Sequence, residues 1–395
     1  MKIGIWHNLP SGGGKRALYD QIRGLQDLGH TIFIWTMESN EDRFLDLSKL
    51  CVTRKFSYSK IYKGIHYTYK SPFLIWNLQK EYNHIFSMVQ KEATGLGVEA
   101  FLIHPESIFR VPLIGSNLLI PSLIYLHEPY RWLYEALPRL PYELSLRRLG
   151  DINRLLGCVY HHRLEKKSLK NYKRILVNSL FSRESVMRAY GFESYVNYLG
   201  IDGDRLKNPY NELERLNVCV GLGTVYHAKG IDRAIKIISL IPKNFRPKIE
   251  WIGNGAWQSD LDSYNVLAKE LGVEIEFFLN ASNEKVLELV GRSKFMIYTS
   301  RLEPFGYAPL ESMALGTPVA ALPEGGVRET VIDGFNGLLS IDGGFESLAM
   351  KITEAYENDS FKALGEKAHE SVFKKWKISE SVQVLQKHLA EISKR

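Results

Sequence analysis

The chain has 395 residues, 45% of them hydrophobic, which suffices for two packed domains and excludes a disordered or fibrous chain. Its three cysteines, Cys51, Cys158 and Cys219, lie far apart, with neither a disulfide framework nor a metal-pair spacing, so a reducing compartment is expected. The formal charge is +7 at pH 7, and residues 131–174 alone hold eleven Lys and Arg against four Asp and Glu, so the excess is local.

The elements follow in chain order. Residues 2–6 read as a buried strand that starts without a signal-peptide core. Ser11 to Arg16 (SGGGKR) is a glycine turn into a helix over 14–28. The pair Gly29-His30 ends that helix, and 31–35 is the next strand. Residues 101–104, 122–127 and 174–178 read as further buried strands. The longest apolar tract, 111–126, is broken by Gly115, Ser116, Asn117 and Pro121, too interrupted to span a bilayer. A cytoplasmic protein is expected, with the inner face of the plasma membrane as its peripheral option. Between the last two strands lies the basic segment, where Trp132, Tyr134, Tyr142 and several leucines are interleaved with the charges. That composition suits an anionic membrane surface as well as a solvated helical face over a core. No nucleic-acid motif accompanies it, so nucleic acid is not an expected partner.

Turn residues and charges without a period mark a linker near 201–216. A second series then begins: strand 218–220, helix 231–241, strand 248–252, helix 261–271, strand 275–278, helix 284–290, strand 294–300, helix 308–315, strand 318–321, further helices, and an amphipathic helix at 379–392. Strands separated by helices in both halves imply two doubly wound, Rossmann-like α/β domains with parallel sheets. The expected boundaries are 1–200 for the first domain and 217–375 for the second, with 201–216 as the linker. Residues 376–395 form a helix returning towards the first. Clefts between such domains take ligands at the carboxyl ends of strands.

Chemistry concentrates in the strand-to-helix segment 300–319. Glu303 lies in the turn, and Glu311 about two turns into the helix. The turn at Pro304, Phe305 and Gly306 offers backbone N–H groups and a positive helix end, a seat for phosphate. A carboxylate beside such a seat makes sense if it holds neutral hydroxyls. The inferred ligand carries phosphate and sugar together: a nucleotide-sugar. In the turn 220–232 (VGLGTVYHAKGID), Lys229 precedes a helix start, where a cation opposes the dipole unless an anion binds. His127 ends an apolar strand beside Glu128. Gly325 and Gly326 open another helix. The loop at Gly12 to Gly14 is neither a Walker A loop nor a dinucleotide fingerprint.

In order and spacing these segments resemble the family 4 retaining glycosyltransferases of the GT-B fold. The resemblance rests on Gly223 to Gly230, Ile252 to Gly255 (IGNG), Ser300 to Gly306 (SRLEPFG), Glu311 to Val319 and Gly325-Gly326 before Glu329. A looser set is Gly12 to Gly14, Gly29-His30, His127 to Pro129 and Asn178-Ser179 with Ser182. The resemblance implies a sugar transfer from a nucleotide-diphosphate sugar, UDP-linked first and GDP-linked next, to a glycan or lipid-linked glycan. Cell-surface polysaccharide, lipopolysaccharide or glycolipid synthesis is the expected setting. It implies Glu303, His127 and Lys229 as catalytic residues, and Gly13, Gly14, Gly223, Thr224, Lys229, Phe305, Gly306, Leu310 and Glu311 as the donor site. Glu311 would hold the ribose, Glu303 the transferred sugar and Lys229 the pyrophosphate. No cofactor and no metal are expected. One position departs: the family places Arg where this chain has Thr224, with Lys15, Arg16, His227 and Arg301 as candidate replacements. A non-catalytic nucleotide-sugar scaffold, or an epimerase or phosphorylase of the same fold, remain rival readings.

Overall fold

The computed structural model describes residues 1–38, 45–57, 71–106, 108–134, 149–206 and 215–394. The middle of the basic segment and residues 207–214 of the expected linker lie outside the described residues. The described residues of 1–199, together with 378–394, form one compact unit, and those of 200–377 form a second.

In the first unit the elements run β1 (Lys2–Asn8), α1 (Gly13–Asp27), β2 (Thr31–Met37), β3 (Val52–Phe56), α2 (Pro72–Leu96), β4 (Ala100–Glu106), β5 (Ser122–Tyr125), α3 (Arg131–Tyr134), α4 (Leu149–Leu169), β6 (Arg174–Val177), α5 (Leu180–Tyr190) and β7 (Tyr195–Val196). The sheet is parallel with seven strands in the order β3-β2-β1-β4-β5-β6-β7. Central β4 is buried along its whole length, as a strand covered by helices on both faces must be. Trp6, Trp35, Phe86 and Phe101 fill the core beside it. Helix α2 has a full set of local signals. Ser71 caps its start by accepting from the Leu74 amide, Pro72 takes the first turn, and Gly97 closes it at φ 71°.

The second unit runs β8 (Leu216–Leu222), α6 (Ile231–Ser239), β9 (Lys248–Gly253), α7 (Gln258–Leu271), β10 (Ile275–Leu279), α8 (Asn283–Arg292), β11 (Ser293–Tyr298), α9 (Tyr307–Ala314), β12 (Val319–Ala321), α10 (Val327–Thr330), β13 (Gly337–Leu339), α11 (Phe345–Glu357) and α12 (Phe361–Lys375). Its six-stranded parallel sheet has the order β10-β9-β8-β11-β12-β13. The last helix, α13 (Ile378–Ser393), packs on α1 of the first unit. There Gly24 leaves room for Val382, whose methyl carbon would sit 2.7 Å from an added Cβ.

Both sheets are doubly wound, as the alternation of strands and helices implies. Each therefore reverses its winding at one place: between β1 and β4, and between β8 and β11. Ligands of such sheets bind at the carboxyl ends of the strands flanking that reversal. The glycine turn at Gly12 follows β1, the Lys229 turn follows β8, and Glu303 follows β11. The topology alone selects the segments in which the sequence concentrates its chemistry. One expectation is corrected. Helix α9 starts at Tyr307, so Glu311 lies just over one turn into it rather than two.

Candidate active site

In the second unit, β8 ends in a turn that only glycine allows. Gly221 has the Trp251 ring lying across it, 2.2 Å from where a Cβ would stand. Gly223, the first residue after the strand, donates to the Ile252 carbonyl at 2.9 Å and accepts from the Trp251 indole N–H at 2.9 Å. A short 3₁₀ turn, His227–Lys229, then presents Lys229 ahead of α6. Gly230 follows at φ 73°, with an added Cβ only 2.0 Å from the Thr299 carbonyl oxygen. The Thr299 hydroxyl donates to the Gly230 carbonyl at 2.8 Å, and the Arg301 amide donates to the Ala228 carbonyl at 2.8 Å. The Lys229 turn is thereby tied to the end of β11.

Arg301 completes that tie. Its guanidinium grips Asp232 with both arms, at 3.0 and 2.7 Å, and donates to the His227 carbonyl at 2.6 Å. Burial alone would raise the Asp232 carboxyl, yet the Arg301 hydrogen bonds and charge hold it below the usual carboxylate range. Asp232 is the acidic residue of the first turn of α6, where it also complements the dipole. Sequence reasoning missed Asp232; its position in a helix first turn, three residues after a lysine, is the only local signal.

The chain then passes through Leu302 at φ 50°, an uncommon conformation for a residue with a Cβ. It turns Glu303 towards Lys229, whose Nζ lies 2.6 Å from the Glu303 carboxylate. Both side chains keep about a quarter of their surface open, at 22% and 24%. From the other side the Gly326 amide donates to the Glu303 carbonyl at 2.9 Å. Gly325 and Gly326 pack so closely on Glu303 and Pro304 that a Cβ on either would fall 2.3 Å from a backbone oxygen. Phe305 is buried, with edge contacts to Tyr307 and Trp376, and anchors the turn. Gly306, at φ 91°, opens α9. In that helix Leu310 faces the core, and Glu311 stays half-buried. Thr224 is exposed at the rim.

The first unit carries the remaining expected residues. Gly13 and Gly14 are the first residues of α1, so their amides are not used within the helix. A Cβ on Gly14 would lie 3.7 Å from the His127 ring. His127 follows β5; its Nδ1 meets the Asn178 amide nitrogen at 3.5 Å, and its carbonyl accepts from the Ser182 hydroxyl at 2.9 Å. Burial, with the Arg110 guanidinium nearby, pushes the imidazole down to about 4. At neutral pH it is therefore an uncharged hydrogen-bonding group.

Residues 202–371 match the family model of glycosyl transferases group 1. An uncharacterized glycosyltransferase of Methanocaldococcus jannaschii is 30% identical over 229 residues, 58% of this chain and 62% of that protein. The chain spans about half the length of the next curated relatives, 50% to 56%. The fold is similar over the whole chain to sucrose-phosphate synthase from Thermosynechococcus elongatus, with a TM-score of 0.75 at 17% identity and 100% of each chain covered. It is equally similar to Anabaena HepE solved with UDP and glucose, at a TM-score of 0.74 and 17% identity, covering 99% of this chain and 100% of that one. Residues 202–371 are thus similar to the group 1 glycosyl transferases, and the chain has a fold of GT-B type.

Proposed function

We propose that the chain transfers a sugar from a nucleotide-diphosphate sugar to a hydroxyl of a glycan acceptor, with retention of configuration. The Lys229–Glu303 pair carries this reading. A partly open ion pair is worth only about 0–1 kcal/mol to the fold. Here it is nonetheless held by a left-handed Leu302, an obligatory Gly230 and the Gly325-Gly326 turn. So much local constraint around a weak pair fits a site whose pair is exchanged for a ligand. In this reading the diphosphate takes Lys229 and the amides at Gly306, while Glu303 is released to the sugar. Glu311 holds the ribose; in the first unit, the amides at Gly13 and Gly14 suit an anion and neutral His127 suits a sugar hydroxyl. The bond from the anomeric carbon to the phosphate oxygen breaks as the acceptor oxygen attacks from the same face. The departing phosphate oxygen takes the acceptor's proton, and Lys229 and the amides carry the charge that develops there. The UDP and glucose bound by the Anabaena neighbour make UDP-sugars the first donors to test.

The acceptor is proposed to be a lipid-linked or surface glycan, met at an anionic membrane. Helix α4 supports this, since it exposes Ile152, Leu155, Leu156 and Val159 in the basic segment. Among the described residues no helix is long and apolar enough to cross a membrane.

A thermal-shift series with UDP, GDP, ADP, their sugar conjugates and NAD tests the core of the proposal. A melting-temperature rise with one nucleoside diphosphate and its conjugates, followed by sugar transfer in acceptor assays, is expected. No rise at millimolar ligand overturns it. Exposed Thr224, in place of the family's arginine, favours one second reading, a nucleotide-sugar-binding scaffold. Binding without turnover on any acceptor would select that reading.

A further inference from the structure

At the carboxyl edge of the first sheet lies a cation that the proposed chemistry does not use. Arg110 follows β4, one of the two strands that flank the winding reversal, where ligands of such sheets bind. Glu128 and Arg131 follow β5, the neighbouring strand. Arg110 Nη2 approaches the Glu128 carboxylate only to 3.5 Å, and Arg131 Nε approaches it to 3.8 Å. A hydrogen-bonded pair of this kind closes to about 2.7–2.9 Å. The chain closes such pairs elsewhere: Arg301 meets Asp232 at 2.7 and 3.0 Å, and Arg292 meets Glu250 at 2.6 and 2.7 Å. In Arg110, by contrast, Nε is buried without a partner, and the guanidinium makes no hydrogen bond among the described residues. Only 26% of its side chain is open to water. Glu106, four residues earlier, accepts from the Tyr82 hydroxyl at 2.6 Å instead.

The chemistry of a partner follows from that slack. Two guanidiniums against one carboxylate leave one positive charge to be matched. A guanidinium is weakly hydrated, and its planar fork fits the two oxygens of a carboxylate or a phosphate. A partly desolvated cation that meets only a neutral hydroxyl keeps most of its electrostatic cost. The surroundings are those of a ligand site. Arg110 lies close enough to His127 that its charge, after burial, helps to keep that imidazole neutral. The His127 ring in turn lies 3.7 Å from a Cβ placed on Gly14, in the glycine turn that follows β1.

We propose that Arg110 binds the acceptor through an anionic group, a carboxylate or a phosphate, and so selects acidic acceptors over neutral ones. The proposal rests on the transferase reading, in which the donor's diphosphate already has its cation, Lys229, in the second unit. The acceptor takes over the loose contact of Arg110 with Glu128, and Arg131 remains to neutralise Glu128.

The test uses the full chain saturated with UDP, so that Lys229 is occupied, at an ionic strength fixed with sodium chloride. Calorimetric titration compares inorganic phosphate, glucuronate, glucose 6-phosphate and glucose. The acidic probes are expected to bind, and glucose to bind at least about tenfold more weakly. The order of glucuronate and glucose 6-phosphate tells carboxylate from phosphate. Arg110→Ala should weaken the acidic probes by about tenfold or more, with glucose and UDP unchanged. Arg110→Lys keeps the charge without the fork and should recover part of the loss. Melting temperatures check that both variants fold. Equal binding of the acidic probes to the wild type and to Arg110→Ala overturns the proposal, as does a wild type that binds none of them or binds glucose as well. If Arg110→Ala weakens UDP as much as the acids, Arg110 belongs to the donor and the acceptor assignment falls. If the wild type binds the acids through Arg110 but never binds UDP, the transferase reading falls, and the acceptor role with it, while the anion site stands.

Discussion

At the scale of single residues, a weak interaction separates function from stability. The Lys229–Glu303 pair keeps about a quarter of its surface open to solvent, so losing it costs the fold about 1 kcal/mol or less. Lys229→Ala and Glu303→Gln should therefore melt within a few degrees of the wild type. Their effects on ligand should differ. Lys229→Ala removes the cation assigned to the diphosphate and should weaken UDP or GDP binding and turnover together. Glu303→Gln should leave diphosphate binding intact, or tighten it, and lower turnover by about a hundredfold or more. Calorimetric titration beside a transfer assay reads both; near-normal turnover in both variants would remove these residues from the mechanism. His127 supports a separate prediction. Its ordinary value is 6.5, and the folded chain holds it near 4. Above 6.5 it is neutral in both states and has no effect on stability. Between 6.5 and about 4 the unfolded chain takes up a proton that the folded one refuses, so stability falls with pH, by about 3 kcal/mol at most. Urea titrations at pH 7, 5.5 and 4.5 should show that slope, and His127→Gln should reduce it, leaving the share of buried His104, whose imidazole is also held well below its ordinary value.

At the scale of elements, the site depends on glycines that admit no side chain. Gly230 combines φ 73° with a Thr299 carbonyl oxygen 2.0 Å from any Cβ, so Gly230→Ala meets both backbone strain and a clash with backbone. A loss of several kcal/mol is expected, about 3 or more, read as a lower urea midpoint. Gly12 has nothing within 4 Å of an added Cβ, so Gly12→Ala meets strain alone and should cost about 1 kcal/mol. An equal cost at the two positions would show that crowding against Thr299 is not what selects Gly230. These turns were legible in the sequence because glycine, lysine and proline are specific about backbone. The strands beside them were legible because β-branched runs are specific about burial. Other parts carried less signal. Short edge strands such as β3, with Val52 largely exposed, have no alternation to read. Helix α2 went unassigned despite its cap and its core stripe of Ile75, Leu78, Tyr82, Ile85 and Val89. Asp232 was invisible for a deeper reason: it matters through Arg301, a neighbour brought near by the fold, and no local pattern encodes that meeting.

At the scale of the whole molecule, charge and apolar exposure coincide in one segment. The chain is neutral apart from residues 131–174, which hold its whole excess of +7. Helix α4, within that segment, leaves Leu156 55% exposed and Val159 40% exposed. A solvated face would pair its charges with polar neighbours, whereas a membrane-binding face needs apolar side chains between them. Neither part suffices alone. Each basic residue near an anionic surface contributes about 1 kcal/mol, and salt weakens that contribution as the Debye length shrinks from about 10 Å at 0.1 M to about 3 Å at 1 M. Insertion of leucine is insensitive to salt and needs the charges to bring it to the surface. Co-sedimentation should therefore show binding to anionic vesicles, weak binding to neutral ones, and a partial loss at high salt. Leu156→Glu, at an exposed position, should leave melting unchanged and remove most of the salt-resistant part. Equal binding to neutral and anionic vesicles, or no effect of Leu156→Glu, would return α4 to an ordinary solvated helix and leave a soluble glycan as the acceptor to seek.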